Sequence, residues 1–214
     1  MLILSPEYTL YVKSFIGILA IVNPLGAIPI FLSISGHRTS IECRKIAQNS
    51  ALSVAIILII ATWAGDSILG FFGISLPAFR AAGGLLIMLM ALNMLHAKQS
   101  HTKHTPDEAA EAGNKENIAV VPLAIPLMAG PGAISLVIID AHQFVNWSDR
   151  LVLSAGIVIA AIAVWLALRL ASPIGEKLGI TGLNIATRIM GLLLSAIGFQ
   201  MLSSGMVKLL PGLG

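Results

Sequence analysis

Two apolar stretches of this sequence carry helix-breaking residues in their middle. The first, NPLGAIP, supplies Asn23, Pro24, Gly26, Ala27 and Pro29, and the second, PLMAGPGAIS, supplies Pro126, Gly130, Pro131, Gly132 and Ser135. Proline has no N–H to donate to the carbonyl four residues earlier, and glycine weakens a helix interior. A break leaves free carbonyls, which attract cations, and free N–H groups, which attract anions. A small zwitterion such as an amino acid needs both, and a small inorganic ion would suit the same dipoles.

The surroundings of the two breaks favour a small ligand, because most of the neighbouring residues are glycine or alanine. In lipid, an unsatisfied backbone group costs several kcal/mol, so both interrupted spans are predicted to be inner spans. A packing kink would explain either motif alone, since proline and glycine are common in membrane helices. The matched placement of the two motifs favours a binding site, with the side chains of Asn23 and Ser135 as contacts.

The composition indicates that lipid surrounds these stretches. The 214 residues are 57% hydrophobic and 11% charged, with a mean hydropathy of +0.91, whereas soluble domains carry about 25% charged residues. Several apolar runs have the length, roughly 20 residues, that crosses a bilayer. We predict an all-α polytopic membrane protein that binds no nucleic acid. Its six transmembrane helices are expected at about 8–35, 46–72, 77–97, 118–141, 150–171 and 184–208.

The distribution of lysine and arginine predicts the orientation. Six spans place both termini on one side, which carries four of the 13 basic residues, and leave nine for the other side. The side richer in lysine and arginine is cytoplasmic by the positive-inside rule. Both termini are therefore predicted outside, and the polar loop 98–117 is predicted in the cytoplasm.

The two halves of the chain, 1–97 and 118–214, resemble each other at a nearly constant shift. GAIPIF from Gly26 matches GAISLV from Gly132, and FFGIS matches KLGIT, both at a shift of 106. ALNML matches GFQML at a shift of 107, and Arg80 matches Arg188 at 108. Three spans are an odd number, so the second copy must enter from the opposite face. We therefore predict a single membrane domain of two inverted three-helix repeats, with helices 1 and 4 interrupted; such breaks mark the substrate site of many secondary transporters.

Four polar residues within the spans are further candidates. Asn93 and its counterpart Gln200 are predicted to face inward, as polar lining of the site or as an interhelical hydrogen bond. Asp66 and Asp140 lie near the outer ends of spans two and four. Either could couple transport to H⁺ or Na⁺, although a solvated helix end is the favoured interpretation.

The sequence contains none of the usual constellations of catalysis. There is no serine–histidine–acid set, no phosphate-cradling loop and no pair of intramembrane carboxylates, and the spacing of the histidines around the central loop fits no common metal site. We predict no enzymatic activity, no metal and no cofactor beyond a coupling ion.

At NPLGAIPIF, PLAIPLMAGPGAIS and RIMGLLLSAIGFQML the sequence resembles the MarC family, also called the NAAT family of neutral amino acid transporters. The resemblance covers nearly the whole chain apart from 98–117. It implies a bacterial or archaeal inner-membrane protein of six spans and, for some members, transport of small neutral amino acids such as glycine and alanine. The positions that carry over are Asn23, Pro24, Gly26, Pro29, Pro126, Gly130, Pro131 and Gly132.

Three functions stay open at this point. The first is a secondary transporter of small neutral amino acids, with membrane lipid as its surroundings. The second is a channel or exporter for another small solute or ion. The third is a membrane scaffold that transports nothing. The sequence indicates neither the direction of transport nor the oligomeric state.

Overall fold

The computed structural model describes residues 6–35, 38–96, 128–144, 146–210 and 212. Within them the regular structure is helical, which confirms the predicted all-α class. The helices are α1 (Pro6–Val22), α2 (Pro24–Ser35), α3 (Ser40–Phe71), α4 (Leu76–Leu95), α5 (Pro131–Gln143), α6 (Trp147–Arg169) and α7 (Ala171–Leu209).

Five helical stretches among the described residues are long and apolar enough to cross a membrane. They are Thr9–Leu32, Ser40–Phe71, Leu76–Leu95, Trp147–Arg169 and Thr181–Leu209, and they coincide with predicted spans one, two, three, five and six. The predicted fourth span, 118–141, overlaps α5. Its first ten residues, which include Pro126, lie outside the described residues, as does the predicted loop 98–117.

Local sequence signals determine where α3 and α4 begin. Thr39 starts α3 with a capping box, in which its hydroxyl accepts the Glu42 N–H at 3.4 Å and the Glu42 carboxylate accepts the Thr39 N–H at 2.8 Å. Ser75 caps α4 by accepting the Ala78 N–H at 3.4 Å. Between the two helices Gly73 has a φ of +66°, which glycine adopts without steric cost. The result is a short turn between the two helices.

α4 and α7 form the most extensive helix pair, and small residues allow their backbones to meet. A Cβ built on Gly84 would lie 2.6 Å from the Gly198 carbonyl oxygen, and one built on Gly205 would lie 2.7 Å from the Pro77 carbonyl oxygen. The lower-numbered contact residue of α4, Pro77, meets the higher-numbered contact residue of α7, Gly205, so the two helices are antiparallel. Close backbone approach at small residues is how membrane helices associate.

Two other antiparallel pairs complete the bundle. α3 packs on α6, where the Trp63 indole N–H donates to the Ser154 hydroxyl at 3.1 Å. α1 packs on α5, where the Ser14 hydroxyl donates to the Asp140 carboxylate and Gly17 faces Leu136. Of the five candidate spans, Thr9–Leu32 is the most enclosed and Thr181–Leu209 the least, with 39% and 17% of their most apolar windows buried. This ranking agrees with the predicted inner position of span one.

Candidate functional site

The first span is broken at one residue, Asn23, which separates α1 from α2. Its φ of +48° is left-handed, a conformation that asparagine tolerates better than most residues. Its backbone N–H donates to the Leu19 carbonyl at 3.0 Å and closes the last turn of α1. Its side-chain oxygen accepts the Gly26 N–H at 3.2 Å and so caps α2. Pro24 follows at the first helical position, where its missing N–H costs nothing.

The Asn23 amide is held by its neighbours. Its nitrogen donates to the Met94 sulfur at 3.8 Å, and the residue is only 5% exposed. A Cβ built on Gly26 would fall on this amide, so glycine at position 26 makes room for the cap. Ala27 is fully buried beside it, whereas Pro29 lies within α2 and is half-buried.

The second break precedes α5. Met128, Ala129 and Gly130 are buried and have left the α-helical conformation, and Pro131 is the first residue of α5. Gly130 occupies the N-cap position without a side chain to cap the helix. The first-turn N–H groups of Gly132 and Ala133 have no acceptor within their own helix. Among the described residues, α5 therefore presents uncapped donors next to the buried residues Met128, Ala129 and Gly130, whereas Pro131 at its first position is exposed.

The pairing of α1 with α5 brings the two breaks to one level. Gly17 faces Leu136, since a Cβ built on the glycine would lie 3.2 Å from the leucine side chain. Six residues along α1 lead from Gly17 to Asn23, and six residues back along α5 lead from Leu136 to Gly130. Six helical residues rise about 9 Å, so in this register Asn23 and Gly130 lie at the same height in the bundle.

Comparison with known proteins agrees with this architecture. Residues 8–210 match the family described as MarC family integral membrane protein. The chain belongs to the MarC family. It is 44% identical over 207 residues to a UPF0056 membrane protein of Buchnera aphidicola subsp. Schizaphis graminum, and 42% identical over 207 residues to the UPF0056 membrane protein YhcE of Escherichia coli strain K12. Each alignment covers 97% of this chain and 96% of the relative.

A more distant relative extends the family to archaea. A UPF0056 membrane protein of Methanocaldococcus jannaschii, MJ0972, is 36% identical over 199 residues, which is 93% of this chain and 87% of the relative. No solved structure matches the chain. The names of these relatives describe membrane proteins and mention no substrate.

Asp140 of this MarC-family chain lies inside the bundle. It is 8% exposed, it accepts a hydrogen bond from Ser14, which is 5% exposed, and Arg80 of α4 is near enough to interact with its charge. Its Oδ2 has no hydrogen-bond partner among the residues that the structure describes. The interpretation of Asp140 as a solvated helix end is therefore wrong. Nothing in the sequence links Ser14 to Asp140, because only the packing of α1 on α5 brings them together.

Asp66 is engaged in a network at the same end of the bundle. Its carboxylate is 2.9 Å from Arg150 Nη2 and 3.0 Å from His142 Nδ1. These contacts join the ends of α3, α5 and α6, and the Asp66 side chain is one-third exposed. This arrangement stabilises the bundle end and leaves Asp66 with less freedom than Asp140 to take up an ion.

The predicted inward lining by Asn93 and Gln200 is corrected by the structure. Both side chains are exposed on the outside of the α4–α7 pair. The inner faces of these helices are taken by glycines such as Gly84 and Gly198, whose close contact turns the larger polar residues outward.

Ser135 and Gly132 are buried or half-buried in helix contacts with α4. Ser135 packs against Gly83, and a Cβ built on Gly132 would lie 2.6 Å from Ile87. Gly132 therefore faces a neighbouring helix, and the expectation that its lack of a side chain makes space for a ligand gains no support from its surroundings. The backbone N–H of Gly132 stays a candidate contact.

Proposed function

We propose that this MarC-family protein is a secondary transporter of small neutral amino acids, glycine-like or alanine-like, which binds its substrate where the two helix breaks meet. The observation that carries the proposal is the common height of Asn23 and Gly130 between two antiparallel inner helices. Interrupted helices that meet inside the bilayer are how many secondary transporters bind small charged substrates.

The two breaks offer opposite partial charges at this level. The carbonyls of Ala20, Ile21 and Val22 end α1 without an intrahelical donor, and they suit an ammonium group. The N–H groups of Gly132 and Ala133 begin α5 without a side-chain cap, and they suit a carboxylate. A neutral amino acid carries both groups a short distance apart. The residues beside the two breaks include the small and buried Ala27 and Ala129, which favours a substrate with little or no side chain.

The proposal includes six spans in two inverted repeats, with the fourth span over about 118–141. Two observations support the repeat. The glycines with positive φ among the described residues are Gly73 and Gly179, at +66° and +61°, and they are related by the shift of 106. In addition, Gly84 contacts Gly198, and Ala91 contacts Gly191. A shift of 107 relates Gly84 to Gly191 and Ala91 to Gly198, so each contact is the counterpart of the other. An approximate two-fold axis in the membrane plane explains both.

The same symmetry relates the breaks to each other. With a shift of 106, the counterpart of Asn23 is Ala129, which adjoins Gly130, the residue at the height of Asn23. The two breaks would then face each other across the two-fold axis. A site on that axis can be exposed to each side of the membrane in turn if one repeat rocks against the other. Because Ala27 and Ala129 are buried, binding and release would require such a motion.

Asp140 is the residue that we propose for coupling to H⁺ or Na⁺. It is buried, one of its oxygens lacks a partner among the described residues, and it joins α1 to α5, the two helices that form the site. Acidic residues enclosed in membrane bundles commonly mark ion pathways. We further propose that the protein lies in the inner membrane, with both termini outside and no enzymatic activity.

Uptake by the purified protein in liposomes tests the proposal. Labelled glycine or alanine should accumulate in a saturable way when a pH or Na⁺ gradient is imposed, and liposomes without protein should show no saturable uptake. Uptake that does not saturate and needs no gradient would favour a channel. If no amino acid and no ion crosses under any gradient, the scaffold interpretation replaces the transporter.

A further inference from the structure

A cavity lined by three arginines lies at the end of the bundle predicted to be cytoplasmic. It has a volume of about 400 Å³ and forms where α2 ends, α3 begins and α6 meets α7. Arg38 lies just before α3, Arg44 lies in its second turn, and Arg169 is the last residue of α6. Arg38 and Arg44 at the start of α3 and Arg169 at the end of α6 therefore line one recess, which we call the arginine cavity.

Within the part of the chain that the structure describes, the positive charge of the arginine cavity is largely uncompensated. None of its three arginines forms an ion pair with another described residue, and no described acidic residue lines it. The nearby Glu42 interacts with Arg38 at longer range, but its carboxylate accepts hydrogen bonds from the Thr39 N–H at 2.8 Å and the Thr39 hydroxyl at 2.7 Å. Unpaired positive charge grouped around a recess attracts an anion.

Neutral donors surround the same recess. The hydroxyls of Ser40 and Ser172 lie in its lining, and the Ser35 hydroxyl oxygen, also in the lining, is buried without a partner among the described residues. Ser40 is the first residue of α3, so the positive end of a 32-residue helix points to this region. An anion with several oxygens could accept from these groups at once.

The remaining walls of the arginine cavity are apolar. Phe31, Leu32 and Leu168 line it. The Arg169 guanidinium lies 5.1 Å from the centre of the Trp165 ring, and this stacking orients the group while its N–H donors stay available. A recess lined by both donors and apolar side chains fits a group that joins a charged head to an apolar tail.

We propose that the arginine cavity binds a phosphate group, supplied by the headgroup of an anionic phospholipid or by a water-soluble phosphate compound. Guanidinium groups bind phosphate oxygens in a bidentate manner. Basic pockets between membrane helices at the cytoplasmic side bind anionic headgroups. The inference does not depend on amino acid transport, since the cavity is lined by none of the break residues.

Binding to the purified protein in a neutral detergent tests the proposal. The probes for isothermal titration calorimetry are dioctanoyl phosphatidylglycerol, dioctanoyl phosphatidylcholine, glycerol 3-phosphate and inorganic phosphate. We expect phosphatidylglycerol or a soluble phosphate to bind more tightly than phosphatidylcholine. In the triple variant Arg38→Gln, Arg44→Gln, Arg169→Gln the affinity should fall roughly a hundredfold. Each basic residue near a headgroup contributes about fivefold in affinity, and the three contributions multiply.

A charge-matched control separates a defined site from general attraction. The variant Lys177→Gln, Arg188→Gln, Lys208→Gln removes three exposed positive charges that do not line the cavity, and its affinity should stay within about threefold of the parent, the effect of roughly 0.6 kcal/mol. If the arginine triple variant does not fold, the single variants Arg44→Gln and Arg169→Gln, at exposed residues, should each weaken binding about fivefold.

The arms of the titration distinguish the sources of the phosphate. Tight binding of phosphatidylglycerol alone identifies a lipid headgroup, and binding of glycerol 3-phosphate or phosphate with equal affinity identifies a soluble compound. Equal loss in the arginine and control variants would overturn the proposal. So would a parent protein that binds none of the phosphate probes more tightly than phosphatidylcholine.

Discussion

Replacing Asn23 should destabilise the protein by an amount that depends on the substitute. Alanine removes the cap on the Gly26 N–H, which costs about 1 kcal/mol. It also makes alanine, which lacks the polar side chain that stabilises asparagine in the left-handed conformation, hold a φ of +48°, which costs a further 1 to 2 kcal/mol or so. Asn23→Ala should therefore lower the free energy of unfolding by about 2–3 kcal/mol.

Asn23→Gly should be much milder, because glycine adopts the left-handed conformation freely. Its cost should be about 0.5–1 kcal/mol, from the lost cap and the more flexible unfolded chain. The assay is equilibrium unfolding in mixed detergent micelles, read by circular dichroism. Asn93→Ala is the matched control, since that asparagine is exposed, and it should change stability by less than about 0.5 kcal/mol. Equal destabilisation by alanine and glycine at position 23 would refute the assigned backbone role.

The remaining predictions concern packing, orientation and coupling. Gly198→Ala should destabilise by about 1–3 kcal/mol in the same unfolding assay, because its Cβ would lie 2.8 Å from the Gly84 backbone. Gly70→Ala, at a helical position with open space around it, should raise the free energy of unfolding by about 0.5 kcal/mol. If Gly70→Ala were the more destabilising of the two variants, the close packing of α4 on α7 would be contradicted. A cysteine introduced at Thr105 in a Cys43→Ser background should react in intact cells only with membrane-permeant thiol reagents; labelling by an impermeant reagent would reverse the orientation. Asp140→Asn should abolish accumulation of glycine driven by a gradient in liposomes while exchange of internal for external glycine continues, and unchanged accumulation would remove Asp140 from coupling.

The break in the first span was predictable because its causes are local. The order Asn-Pro-x-Gly places a residue that tolerates positive φ before a residue suited to the first helical position, and then a glycine that leaves room for the cap. The sequence predicts a ligand contact for the Asn23 amide, whereas in the structure the amide caps α2 and contacts Met94. The local sequence predicts the position of the break, but it does not predict the hydrogen-bond partner of the Asn23 amide.

The errors concern tertiary packing. The polarity of Asn93 and Gln200 suggested an inner position, but the glycines of α4 and α7 determine which faces meet, because only they allow close backbone contact. Asp140 was assigned to a helix end exposed to water, and its burial depends on Ser14, which lies 126 residues earlier. The arginine cavity likewise joins segments more than 100 residues apart. Such contacts leave no periodic signal in one sequence.

Protection by substrate is the most direct test of whether the two helix breaks form the binding site. The measurement is the rate at which a small thiol reagent alkylates an Ala129→Cys variant, in a Cys43→Ser background in liposomes, with and without saturating glycine. Ala160→Cys on α6 is the control, since both alanines are fully buried but only Ala129 adjoins a break. We expect glycine to slow alkylation severalfold at position 129 and to leave the rate at position 160 unchanged. An unchanged rate at position 129, under conditions where glycine uptake is saturable, would contradict it.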